Sequence, residues 1–120
     1  MKTSMSNKIL GLGLMLALMA PMASQAHTVT TSWYGKQWDG RRTASGQVFN
    51  HRKLTVAHRT LPMGTRVKIT RGPYKVIVRV NDRGPYVLGR SLDVSQAVAN
   101  RLKITRKGVA QVHMTILPKN

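Results

Sequence analysis

The amino-acid sequence predicts a mostly-β domain with one short helix. Apolar residues alternate at Val76, Val78 and Val80, and again at Ala110, Val112, Met114 and Ile116, the period of two that a half-buried strand requires. Gly72-Pro73 and Gly84-Pro85 bound the first of these runs, as Gly and Pro do where a backbone must turn. A helical period occurs once, at Val94, Val98 and Leu102, spaced i, i+4 and i+8.

The chain opens on Lys2 and Lys8 around an apolar run over residues 9–20, followed by Pro21 and by Ser24-Gln25-Ala26. That is the order of a secretory signal peptide over 1–26, with cleavage after Ala26. A retained span needs about 20 apolar residues, and this run has twelve. With no Cys to carry a lipid, the expectation is an exported protein, periplasmic or extracellular, not lipid-anchored, with no membrane span in its mature form. Residues 27–120 then form one domain, read as a monomer and too short for a second core.

Within that domain residues 28–34 read as a first strand and 35–53 as a Gly-rich, polar loop. Residues 54–57 and 66–70 read as short strands, and Arg71-Gly72-Pro73 turns the chain into a strand over 74–81, an antiparallel hairpin. Asp93 and Gln96 are spaced as a capping box that opens the helix, which gives Asp93 a structural role. Residues 108–117 form the closing strand.

The chain carries 20 Lys and Arg against three acids, Asp39, Asp82 and Asp93, with no Glu. Without Lys2 and Lys8 the formal charge of +17 becomes +15. Such a field draws polyanions, which for an exported protein are anionic cell-envelope polymers. Nucleic acid, the usual partner of basic proteins, is disfavoured by the leader and by basic residues scattered over strands and turns. Zero Cys and no ligand spacing among His27, His51 and His113 argue against a metal. Ser32, Ser45, Ser91 and Ser95 lack a nucleophile-elbow context.

Any carboxylate chemistry therefore rests on three residues. Asp82 ends an apolar strand at Asn81-Asp82-Arg83-Gly84-Pro85, where its side chain either caps the turn or faces a groove. Asp39, in Trp38-Asp39-Gly40, reads as a turn residue or a distant second carboxylate. Trp33, Tyr34 and Trp38 either stack on sugar rings or, for the first two, pack in the barrel. His58 reads as a structural hydrogen-bonder or a substrate contact.

Five segments carry a resemblance to a known family: Thr31-Ser32-Trp33-Tyr34-Gly35, Arg42-Thr43-Ala44-Ser45-Gly46, Ala57-His58-Arg59-Thr60-Leu61-Pro62, the stretch from Arg79 to Tyr86, and Gly89-Arg90-Ser91-Leu92-Asp93-Val94-Ser95. In this order they resemble the rare lipoprotein A (RlpA) family. The resemblance implies a six-stranded double-psi β-barrel, the fold of expansin and barwin domains, and lytic transglycosylase activity on peptidoglycan glycan strands. It implies Asp82 as the catalytic acid and places position 47 and His58 beside the groove; Gln47, His58, Arg83, Trp33 and Tyr34 are the candidates for assisting or binding substrate, and no metal or cofactor is expected.

In this chemistry an acid protonates the leaving oxygen and the sugar's own C6 hydroxyl attacks the anomeric carbon, giving a 1,6-anhydro end, whereas most glycoside hydrolases use two carboxylates. One acid suffices, which suits a chain so poor in acids. Arg79, Arg83 and Arg90 near Asp82 would favour its ionised form and oppose this role. The family pattern Gly-Glu-x-Phe-Asp reads here Gly46-Gln47-Val48-Phe49-Asn50, and Gln47 cannot carry a catalytic proton. Two function classes follow: a lytic transglycosylase, or a non-catalytic, expansin-like peptidoglycan-binding module. The leader predicts that exported protein is released after cleavage at Ala26. Intact-mass measurement checks this, and a membrane-retained species that keeps residues 1–26 would refute it.

Overall fold

The computed structural model describes residues 25–119, so the expected leader lies almost wholly outside the described residues. Six strands close into a barrel: β1 (His27–Tyr34), β2 (Thr55–Ala57), β3 (Arg66–Arg71), β4 (Tyr74–Asp82), β5 (Leu92–Ser95) and β6 (Val109–Ile116), with one helix, α1 (Gln96–Leu102), between the last two. Around the barrel the order is β1-β5-β2-β4-β3-β6. The pairs β1/β5 and β2/β4 are parallel and the other four antiparallel. Closure leaves no unpaired sheet edge.

The alternation seen in the sequence is the inside-outside pattern of this wall. Val67, Ile69, Val76, Val78, Val80, Val112 and Met114 point inward and are buried, while Lys68, Lys75, Ile77 and Arg79 point out. The expected hairpin forms, with Arg71 paired to Tyr74 across Gly72-Pro73 and Gly72 at φ 54°, the left-handed region that two-residue hairpin turns use. Helix α1 adds Val98, Ala99 and Leu102 to the core, followed by Ile104.

One element departs from expectation. Asp93 does not cap the helix but lies in β5, with Leu92 and Val94 inward and fully buried on either side. The cap is Ser95, whose Oγ accepts from the Val98 amide and donates to the Lys53 carbonyl. Two apolar residues are too few to reveal a strand by periodicity, and Asp-x-x-Gln imitates a capping box. At the other end of α1, Lys103 adopts the left-handed conformation at φ 59° and lets Ile104 turn back into the core.

Leu102 is fully buried at the centre of this helix–barrel contact. Leu102→Ala is expected to lower unfolding free energy by about 2–5 kcal/mol, read from urea denaturation, and Ser95→Ala by about 0.5–2 kcal/mol.

Candidate active site

The site follows from strand register. Val56 pairs with Val80 of β4 and Val94 of β5, all three pointing into the core. The next residue, Ala57, pairs with Asp82 on one side and Asp93 on the other. Between Val80 and Asp82 the β2/β4 register shifts, so Asn81 is an extra residue in β4. A bulge of this kind re-aims the side chain beyond it, and it gives Asp82 the outward position beside Ala57. One strand further, Ser32 of β1 pairs with Asp93. Ser32, Asp93, Ala57 and Asp82 thus form one cross-strand row. At about 4.8 Å per strand the two Asp backbones stand roughly 10 Å apart, with only the Ala57 methyl between them.

Asp93, Ala57 and Asp82 of this row floor a groove walled by Tyr34, Trp38, Arg41, Thr43, Phe49 and Gly84-Pro85. Asp82 satisfies both readings of its side chain. Its Oδ1 accepts from the amides of Ala44 and Arg83, each at 2.9 Å, which fixes the carboxylate, and Oδ2 is left to the groove. The loop that supplies Ala44 also holds the bulge, since the Ser45 amide donates to the Asn81 carbonyl at 3.1 Å. Two arginines near this carboxylate in sequence are turned to backbone carbonyls, while Arg41 and Arg42 line the same groove. Arg83 directs its guanidinium to the carbonyls of His58 and Leu61, and Arg79 to that of Gly64.

Asp93 has a different environment. Its Oδ1 accepts from Ser32 Oγ at 3.1 Å. Burial pushes its carboxyl above the ordinary range and the charge of Asp82 adds to the rise, against the Ser32 hydrogen bond and Arg90. Tyr34 stacks on Phe49 with ring centroids 4.5 Å apart. Its phenol is buried, without a hydrogen-bond partner among the described residues. Burial, with Asp82 and Asp93 nearby, pushes its pKa well up, so it stays protonated as a donor. At the rim, the half-exposed Trp38 carries the Arg41 guanidinium 4.8 Å from its ring centroid.

The other residues singled out in the sequence lie around this groove. His58 Nδ1 accepts from the amides of Thr60 and Leu61 at 3.1 and 3.0 Å, and burial lowers its pKa, with Arg59 and Arg83 adding to the fall. It is a neutral turn-former behind Arg83. Gln47 lines an adjacent hollow and reaches Asn81 Nδ2 at 3.4 Å. The Trp33 side chain packs against the core, and its indole donates to the Thr105 carbonyl at 3.2 Å. Asp39 does not join Asp82. It accepts from the amide and Nδ1 of His51 at 2.7 and 2.6 Å and lies in a separate hollow. Sequence reasoning missed Asp93 as a groove residue, because the row exists only once β2, β4 and β5 are paired.

A closed six-stranded barrel with two interleaved parallel pairs and a groove across its wall is a double-psi β-barrel. The Streptomyces papain inhibitor shares the fold at a TM-score of 0.65 and 21% identity, covering 78% of this chain and 96% of the inhibitor. An expansin of Clavibacter michiganensis, solved in complex with cellohexaose, has a TM-score of 0.66 at 14% identity, covering 80% of this chain and 52% of the expansin. Residues 26–114 match the domain family described as "Lytic transglycolase". The endolytic peptidoglycan transglycosylase RlpA of Pasteurella multocida is 46% identical over 88 residues, which is 72% of this chain and 30% of that protein. The Synechocystis relative, described as a probable endolytic peptidoglycan transglycosylase RlpA, is 51% identical over 88 residues, 72% of this chain and 27% of that protein. The chain belongs to the RlpA family and spans less than a third of the length of these two curated relatives.

The raised pKa of Asp93 has a stability consequence. Below the ordinary carboxylate range both folded and unfolded chains hold the proton and there is no penalty. As pH rises through the raised folded value the unfolded chain releases its proton more readily, and stability falls. Asp93→Asn, which keeps the acceptor for Ser32, is expected to flatten this part of the Tm–pH curve and raise Tm at neutral pH. An unchanged curve from thermal unfolding between pH 3 and 8 would refute it.

Proposed function

We propose that this domain is exported and cleaves peptidoglycan glycan strands as a lytic transglycosylase, leaving 1,6-anhydro-N-acetylmuramic acid ends. The observation that carries the reading is the row Ser32, Asp93, Ala57, Asp82, which sets two carboxylates of unlike environment on one groove floor. Of two carboxyl groups on one groove, the one that burial holds in its protonated form is the proton donor, and here that is Asp93. Relatives named peptidoglycan transglycosylases support the substrate class.

In the proposed reaction Asp93 gives its proton to the glycosidic oxygen as the bond from that oxygen to the anomeric carbon breaks. Asp82 Oδ2 takes the proton of the C6 hydroxyl, whose oxygen closes onto the anomeric carbon. No water is consumed, and the proton gained by Asp82 is returned to Asp93 before the next turnover. This divides between two residues the work that sequence reasoning gives to Asp82 alone. Tyr34, stacked on Phe49, shapes the groove wall, and Trp38 at the rim offers its ring face to a sugar. Ala57 is small because a larger side chain between the carboxylates would occupy the reacting sugar's place.

The test is mass spectrometry of fragments released from purified peptidoglycan. Wild-type protein is expected to release anhydro-ended fragments. Asp82→Asn and Asp93→Asn are each expected to lower release by about 100-fold or more, the usual contribution of a positioned acid–base group, with binding to the polymer retained. Ala57→Leu is expected to lower both release and binding of soluble glycan. Fragments with ordinary reducing ends would mean hydrolysis. Binding without any release would establish the expansin-like module instead.

A further inference from the structure

The basic residues are not evenly spread. All three acids lie at or near the groove, Asp82 and Asp93 on its floor and Asp39 in the loop that carries Trp38. The end of the barrel where β4 begins holds none. There the chain leaving α1 places Arg101, Lys103, Arg106 and Lys107 on the surface, all exposed. The β3/β4 hairpin is tied to the same end, because Arg71 donates to the carbonyls of Leu102 and Lys103 at 3.1 and 3.3 Å. That bond brings Lys75, exposed on the outer face of β4, alongside.

Arg71 has a structural use, since a cation at a helix C-terminus complements the carbonyls left there. Arg101, in the last turn of α1, shares that use, whereas Lys75, Lys103, Arg106 and Lys107 have none that the fold supplies. Their side chains have no hydrogen-bond or ion-pair partner among the described residues. Five like charges gathered without an acid repel one another, an arrangement the barrel itself does not need. Lys75 and Asp82 are seven residues apart on one strand, so this surface lies roughly 23 Å from the groove. A sugar at the groove floor does not reach it.

We infer that this basic end is a second binding surface, for a polymer bearing repeated carboxylates. Resting on the function proposed above, that polymer is the peptidoglycan network itself, whose peptide carboxylates on a neighbouring strand would be held here while the groove engages another. Five flexible cations drawn from two chain segments suit an array of separate charges better than one compact anion. Exposed aromatic rings for stacking bases are few here, Tyr74 being the one beside the hairpin turn, so single-stranded nucleic acid fits poorly. Two contacts on one insoluble polymer raise retention through effective concentration, with no new contact in the groove.

The experiment compares retention on purified, insoluble peptidoglycan at low salt. R106E/K107E reverses two charges of the basic end, and R59E/K119E makes the same change of net charge elsewhere. The first is expected to lose about tenfold in affinity and the second less than about twofold. Peptidoglycan whose carboxyl groups have been amidated is expected to bind wild type about as weakly as the untreated polymer binds R106E/K107E, and to show no further loss with that variant. Equal losses from the two double variants would overturn the inference, leaving net charge alone. Undiminished binding to amidated polymer, or tighter wild-type binding to polyphosphate or duplex DNA than to peptidoglycan, would overturn the carboxylate assignment. Circular dichroism of both variants checks that they fold. An anhydro-product assay on the same samples separates this inference from the proposed chemistry, since retention can hold where cleavage fails.

Discussion

The candidate site depends on one residue of excess backbone. If β2 and β4 kept register past Val56 and Val80, Ala57 would face Asn81, and Asp82 would be turned toward the core. The shift at Asn81 moves the carboxylate to the outward face without disturbing the inward run of Val76, Val78 and Val80. A one-residue change of register exchanges the faces of a strand. Here that exchange occurs after the core has been built, so packing and chemistry take successive parts of the same strand.

Such a bulge must be held, because its extra residue leaves the ladder. The loop over 43–47 holds it through backbone donors, Ser45 to the Asn81 carbonyl and Ala44 to Asp82 Oδ1. Phe49, buried at 3% exposure, pins the far side of that loop under Tyr34. The Asp39–His51 pair closes its base. The long polar segment between β1 and β2 is therefore a cradle for one carboxylate and a wall for the groove. The basic residues nearest the site work in the same way. Arg83 draws the His58–Leu61 turn against the end of β4 with its two carbonyl contacts, so a strongly basic chain keeps a groove floored by carboxylates.

Five of the six strands were legible, β4 and β6 from alternation over three or more apolar positions and β1, β2 and β3 as short β segments between turns, and the hairpin was legible from Gly72-Pro73. β5 was not. Four residues with two inward side chains carry no period, and its last residue is also the helix cap, so helix and strand signals overlapped at Asp93. Asp82 was legible as a strand-end carboxylate, and its two candidate roles proved compatible because a carboxylate has two oxygens. The row joining it to Asp93 was not legible. It depends on β2 lying between β4 and β5, a pairing between segments far apart in sequence that no local pattern reports. The clustering of cations at one end of the barrel was hidden for the same reason. Arg101 to Lys107 and Lys75 come together only through the Arg71 contact with the end of α1.

Gln47 draws its meaning from the same geometry. Read along the sequence, Gln in place of the family's Glu looks like the loss of a second catalytic carboxylate. In space its side chain meets Asn81 Nδ2, on the bulge, from a hollow beside the groove. Asn81 is buried, and its Oδ1 has no partner among the described residues, so the bulge is held by few polar contacts and each one matters. A carboxylate at position 47 would accept the Asn81 amide through a stronger, charge-assisted bond. Gln keeps the acceptor in neutral form. Gln47 thus touches the bulge that presents Asp82, while the second carboxylate of the groove floor, Asp93, comes from a different strand.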